Sequence, residues 1–135
     1  MALNELKNIL VVDDNDTDLL IARIVMEKSG FTGVTVVKNS GKSAMEYLNS
    51  IQNQPEQWPE LIFLDINMPV VSGFAFLENF ENLGTAFSSK VKIAVLSSSD
   101  NKSDTDKFAA NGYVIDFVPK PLSIEGFKSV IEKMN

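Results

Sequence analysis

Apolar residues along this chain keep two rhythms. Short, mostly apolar runs occur at NILVV (8–12), VTVV (34–37), LIFLD (61–65), VKIAVLS (91–97) and YVIDFV (113–118). Each reads as a strand, and the continuous run at 8–12 suits one covered on both faces. Between them apolar residues recur at helical spacing. Leu20, Ile24 and Val25 lead to Gly30, a natural helix stop, with Asp16, Thr17 and Asp18 as candidate N-caps. Ala44, Leu48 and Ile51 form a stripe over 42–51, and Phe76, Phe80 and Leu83 another over 73–83. SDTDKFAANG predicts a short polar helix from Ser103 to a stop at Gly112, and Ile124, Phe127, Ile131 and Met134 mark a final amphipathic helix. Strand and helix alternate five times. That order predicts a single α/β domain with a parallel sheet and helices on both faces.

In such sheets ligands bind at the carboxyl ends of the strands. Those ends carry Asp13 and Asp14, then Asp65, then Ser97, Ser98 and Ser99, then Pro119, Lys120 and Pro121. Taken singly, DDNDTD reads as a solvated turn with helix caps, Asp65 as a turn former, SSSD as a loop and cap, and PKP as a stiff loop. Their conjunction is what points to a site, because each falls at the same end of a different strand. If the first and third strands are neighbours, three carboxylates converge near a lysine and a hydroxyl. Clustered carboxylates repel one another, and a divalent cation relieves the repulsion. An all-oxygen donor set suits Mg²⁺ better than a softer metal. Mg²⁺, an ammonium and a hydroxyl beside a carboxylate are the parts of a phosphoryl-transfer site, with Asp65 as the nucleophile.

Composition narrows the chemistry further. The 135 residues carry a net charge of −6 with scattered lysines, which leaves no basic footprint for nucleic acid or an anionic membrane. Cysteine and histidine are both absent, so disulfides, thiolate metal sites and imidazole catalysis are excluded. The N-terminus lacks the pattern of a signal peptide, and no apolar stretch reaches the length of a membrane span. A soluble, cytoplasmic protein is expected.

With VVDDN at 11–15, LDINMPVVSG at 64–73, AVLSSS at 94–99 and VPKPL at 118–122 in this order and spacing, the chain resembles the receiver domain of two-component response regulators over nearly its whole length. The resemblance implies a flavodoxin-like (βα)5 fold whose five-stranded parallel sheet has the order 2-1-3-4-5. It implies Asp65 as phosphoacceptor, and Asp13 and Asp14 as the acidic pair holding Mg²⁺, with the backbone carbonyl of Asn67 as a further ligand. Lys120 matches the lysine that binds a phosphoryl oxygen, Ser97 the hydroxyl switch residue and Phe117 the aromatic switch position. Phe117 lacks the hydroxyl of the tyrosine often found there. The Lys120–Pro121 bond matches one that is usually cis.

The expectation is a stand-alone, chemotaxis-regulator-like receiver over residues 1–135 with no output domain. It would be a signalling switch, with no catalysis beyond its own phosphorylation and dephosphorylation. The implied donor is a sensor histidine kinase or histidine phosphotransfer protein, since a chain without histidine cannot supply a phosphohistidine. The signal would leave by contact with an unknown downstream protein or by onward phosphotransfer. The loop at 53–60 is longer than a minimal connection, and its purpose is not legible in the sequence.

Three other readings compete. A haloacid-dehalogenase-like phosphohydrolase needs a second aspartate two residues after the nucleophile, where this chain has Asn67, and a cap segment over its substrate. A flavodoxin-like nucleotide binder needs a Ser/Thr/Gly-rich phosphate loop, whereas DDNDTD repels phosphate. A receiver used only as a docking scaffold has no need of the intact Asp65, Asp14, Ser97 and Lys120.

Overall fold

A computed structural model describes residues 3–66, 73–84, 89–97 and 113–134. The strands are β1 (Asn8–Val12), β2 (Val34–Lys38), β3 (Leu61–Asp65), β4 (Lys92–Ser97) and β5 (Val114–Pro119). The α-helices among the described residues are α1 (Asp16–Lys28), α2 (Gly41–Ser50), α3 (Gly73–Glu81) and α4 (Ile124–Lys133). The polar helix expected at 103–112, the carbonyl of Asn67, and Ser98 and Ser99 lie outside the described residues. Every strand pairing is parallel and the order is β2-β1-β3-β4-β5, the flavodoxin-like arrangement expected.

The unbroken apolar strands are explained by what covers them. Alternate residues point to opposite faces of a sheet. Leu10, Val12, Ile62, Leu64, Ile93 and Val95 face α2 and α3, packing with Leu48, Phe76 and Phe80. Ile9, Val11, Leu61, Phe63, Ala94 and Leu96 face α1 and α4, packing with Met26 and Phe127. Burying each large apolar side chain contributes roughly 1.5–3 kcal/mol. Gly126 lets α4 lie close to β5, because a Cβ there would stand 2.9 Å from Cγ1 of buried Val118.

The start of α1 differs from expectation. Its N-cap is Asn15, whose backbone is extended and whose Oδ1 accepts the Asp18 N–H at 3.0 Å. Asp16 and Asp18 instead occupy the first turn, where the helix dipole favours negative charge. The helix stops as expected: Gly30 takes φ +99°, while Gly30 and Phe31 N–H bond the carbonyls of Glu27 and Met26. The third helix ends at Glu81, short of Leu83, whose N–H bonds the Phe80 carbonyl in a closing turn.

The 53–60 loop lies at the amino end of the sheet. It holds a 3₁₀ turn (Pro55–Gln57), and Trp58 Nε1 donates to the Ile51 carbonyl at 2.8 Å. The Glu60 carboxylate accepts the Lys7 and Asn8 N–H groups at 2.7 and 3.0 Å, tying the entry of β3 to that of β1. No helix among the described residues is long and apolar enough to cross a membrane.

Candidate functional site

The site is assembled where β1 and β3 end side by side. Val12 lies in register with Leu64, so Asp13 and Asp65 leave the sheet as neighbours. The Asp13 N–H bonds the Lys38 carbonyl of β2 at 3.1 Å, which fixes the backbone one residue beyond the strand. One carboxylate oxygen from each of Asp13, Asp14 and Asp65 falls within 4.8 Å of the others. Asp13 and Asp65 are 0% and 2% exposed, whereas Asp14 faces solvent.

Lys120 enters from the end of β5. Its N–H bonds the Ser97 carbonyl at 3.0 Å, so strand pairing between β4 and β5 sets its height, and its bond to Pro121 is cis. Its Nζ lies 3.0 Å from Asp13 Oδ2, 3.1 Å from Asp18 Oδ2 and 3.2 Å from Asp65 Oδ2. Ser97 is nearly buried at the end of β4, opposite Pro119 of β5. Phe117 is half-buried against the core facing α2 and α3, and its N–H bonds Asp116 Oδ1 at 2.8 Å.

One ammonium among several carboxylates shifts the two partners unequally. Burial works against the charged form of Lys120, but its ion pairs with Asp13 and Asp18 and the nearby Asp65 charge outweigh this and raise its pKa. Asp13 is pushed up to about 6, chiefly by burial and also by the Asp65 charge. The Asn15 N–H, 2.9 Å from Asp13 Oδ1, and the ammonium offset only part of that rise. Asp13 therefore sits ionised at neutral pH at a cost.

The arrangement fits a divalent cation. Asp13 Oδ2 is buried without a hydrogen bond and meets Lys120 only as an ion pair. An under-satisfied buried oxygen beside two further carboxylates is a hard-cation donor set. Among the described residues, Asp13, Asp14 and Asp65 could hold a metal.

Asp18, a cap candidate by sequence, also belongs to this site. Its ion pair with Lys120 spans more than 100 positions, for which no local pattern exists. The available signal was spacing: Asp18 lies one turn past Asn15, on the edge of α1 that turns toward the strand ends.

Residues 9–132 match the family model of the response regulator receiver domain. Among curated proteins, the probable methanogenesis regulatory protein FilR2 of Methanothrix harundinacea is 29% identical over 93% of this chain and 79% of its own length. The polar-differentiation response regulator DivK of Brucella ovis is 26% identical over 93% and 94%. Among solved structures, a two-component response regulator from Cytophaga hutchinsonii superposes with a TM-score of 0.88 at 26% identity, covering 96% of both chains.

Proposed function

The chain belongs to the response regulator receiver family, a family of signalling switches, and on that premise we propose that Asp65 is its phosphoacceptor. The donor is a phosphohistidine on a sensor histidine kinase or histidine phosphotransfer protein, and the exchange takes place in the cytoplasm. An Asp65 carboxylate oxygen attacks phosphorus in line, the P–N bond to the partner's imidazole breaks, and the imidazole leaves with the electron pair and takes up a proton. The product is an acyl phosphate on Asp65.

The observation that carries this reading is the setting of the Asp65 carboxylate. It lies at the end of a fully buried strand, with an ammonium 3.2 Å away and two more carboxylates within 4.8 Å. β3 holds it rigidly, so little orientational freedom is lost on reaction. Asp13, Asp14 and Asp65 would hold Mg²⁺, with the Asn67 carbonyl as a further ligand. When bound, Mg²⁺ supplies neutralisation of the charge on the transferring group. Lys120 holds a second phosphoryl oxygen, and Ser97 at the end of β4 turns its hydroxyl toward a third. These contacts exist only after transfer, so they bias the molecule toward a second arrangement, in which Phe117 turns inward. A downstream protein reads that arrangement, or the phosphoryl group moves on to another histidine.

The test is incubation with Mg²⁺ and acetyl phosphate followed by intact mass. One added phosphoryl group is expected on the native chain and none on Asp65→Asn. No adduct on the native chain, or an adduct surviving in Asp65→Asn, overturns the reading.

A further inference from the structure

Lys120 is held by more carboxylates than phosphoryl transfer requires. Two of them, Asp13 and Asp65, are also metal-competent residues, and each contacts Nζ through its Oδ2. The third is Asp18, which lies outside the metal-competent group. Its side chain is 24% exposed, against 1% and 2% for Asp13 and Asp65, so it sits on the rim of the site.

An acidic residue in the first turn of a helix often needs no explanation beyond the helix dipole. Here a closed circuit fixes its direction. Asp13 Oδ1 accepts the Asn15 N–H at 2.9 Å, and Asn15 Oδ1 accepts the Asp18 N–H at 3.0 Å. Asp18 Oδ2 then meets Lys120 at 3.1 Å, and Lys120 returns to Asp13 Oδ2 at 3.0 Å. The cap that starts α1 thus also aims the Asp18 carboxylate at the ammonium. The dipole alone imposes no such aim.

We infer that Asp18 is a positioning residue for Lys120, its role being to keep the ammonium at the site once a divalent cation claims the oxygens of Asp13 and Asp65. This rests on the reading of Asp65 as a metal-assisted phosphoacceptor. A divalent cation held by Asp13 and Asp65 would compete with the ammonium for their carboxylates, and the two like charges would repel each other at short range. Without a third acceptor, Lys120 gains more by swinging its long stem into water than by staying beside the cation. Asp18 offers an anchor outside the contested pair. The ammonium then stays within reach of an incoming phosphoryl oxygen, and transfer does not await its return.

The measurement is the mobility of the Lys120 side chain, followed by ¹⁵N and ¹³C relaxation at Nζ and Cε in the full chain. Native protein and Asp18→Asn are compared with and without saturating Mg²⁺. Both should hold Lys120 rigid without metal, since Asp13 and Asp65 remain. With Mg²⁺, the native chain should keep the restricted signal and Asp18→Asn should lose it. The Asp18→Asn chain should also take phosphoryl from acetyl phosphate roughly ten-fold more slowly at saturating Mg²⁺, as expected when a reacting group must be re-placed for each transfer. The inference is overturned if native Lys120 becomes mobile with Mg²⁺, if Asp18→Asn stays rigid with Mg²⁺, or if its rate is unchanged. A native chain that takes up no phosphoryl group defeats the parent reading instead, and intact mass on the same samples tells the two failures apart.

Discussion

Replacing Asp13 by Asn should stabilise the metal-free protein, and the gain should depend on pH. A carboxyl raised from its ordinary 3.8 to about 6 binds its proton more tightly in the folded chain than in the unfolded one. The stability this contributes is complete below pH 3.8 and is lost as pH rises through about 6. At about 1.4 kcal/mol per pH unit, ionising Asp13 above that point costs the fold on the order of 3 kcal/mol. An amide stays neutral and avoids the cost. Its Oδ1 can still accept the Asn15 N–H, while Lys120 retains Asp18 and Asp65. The amide hydrogens facing Lys120 subtract a constant amount, so the change with pH is the sharper quantity. In EDTA, the stability gap between Asp13→Asn and the native chain should widen by about 2 kcal/mol between pH 4.5 and pH 8, or ~1 M in urea midpoint. Adding Mg²⁺ at pH 8 should narrow it again by stabilising the native chain. Urea titrations of both proteins at the two pH values decide the matter. A gap that stays level, or that shrinks as pH rises, refutes the argument that burial makes the Asp13 charge costly.

Two further outcomes concern the scaffold. Gly126→Ala gains helix propensity, but its Cβ would press against Val118 Cγ1 at 2.9 Å and Ser123 Oγ at 3.2 Å. Overpacking should win, for a net loss of about 1 kcal/mol read as a lower midpoint of thermal unfolding. Glu60→Ala strips the Lys7 and Asn8 N–H groups of their acceptor. It should cost about 1–3 kcal/mol in urea unfolding while leaving the acetyl phosphate rate unchanged.

Much of the molecule is legible from local pattern. Each apolar run becomes a strand whose ends fall within a residue of the pattern's, because the three central strands are covered on both faces and keep to apolar residues along their length. Asp13, Asp14, Asp65 and Lys120 converge because they share one end of a parallel sheet, which alternation alone implies. The adjacency of β1 and β3 is different. It comes from the resemblance to a family and not from any residue, since alternation is compatible with several strand orders. Asn15 does not stand out as a cap in the sequence because three other capping residues follow it, and only backbone geometry separates them. Asp18 was out of reach for a related reason: its partner is set by where β5 ends, and local pattern has no access to that distance.

The Glu60 clamp separates the reacting end of the molecule from the loop at its base. β3 begins beside Glu60 and finishes at Asp65, a span of roughly 16 Å at ~3.3 Å per residue. Bonds from Glu60 to the start of β1 and from Trp58 to the end of α2 hold the loop against the sheet by its own contacts. Residues between Ile51 and Trp58 can therefore lengthen, shorten or change sequence while the strand beyond them keeps its register. Changes in that loop are separable from the geometry at the opposite pole, so the chain can acquire new contacts at its base without retuning the reactive carboxylate.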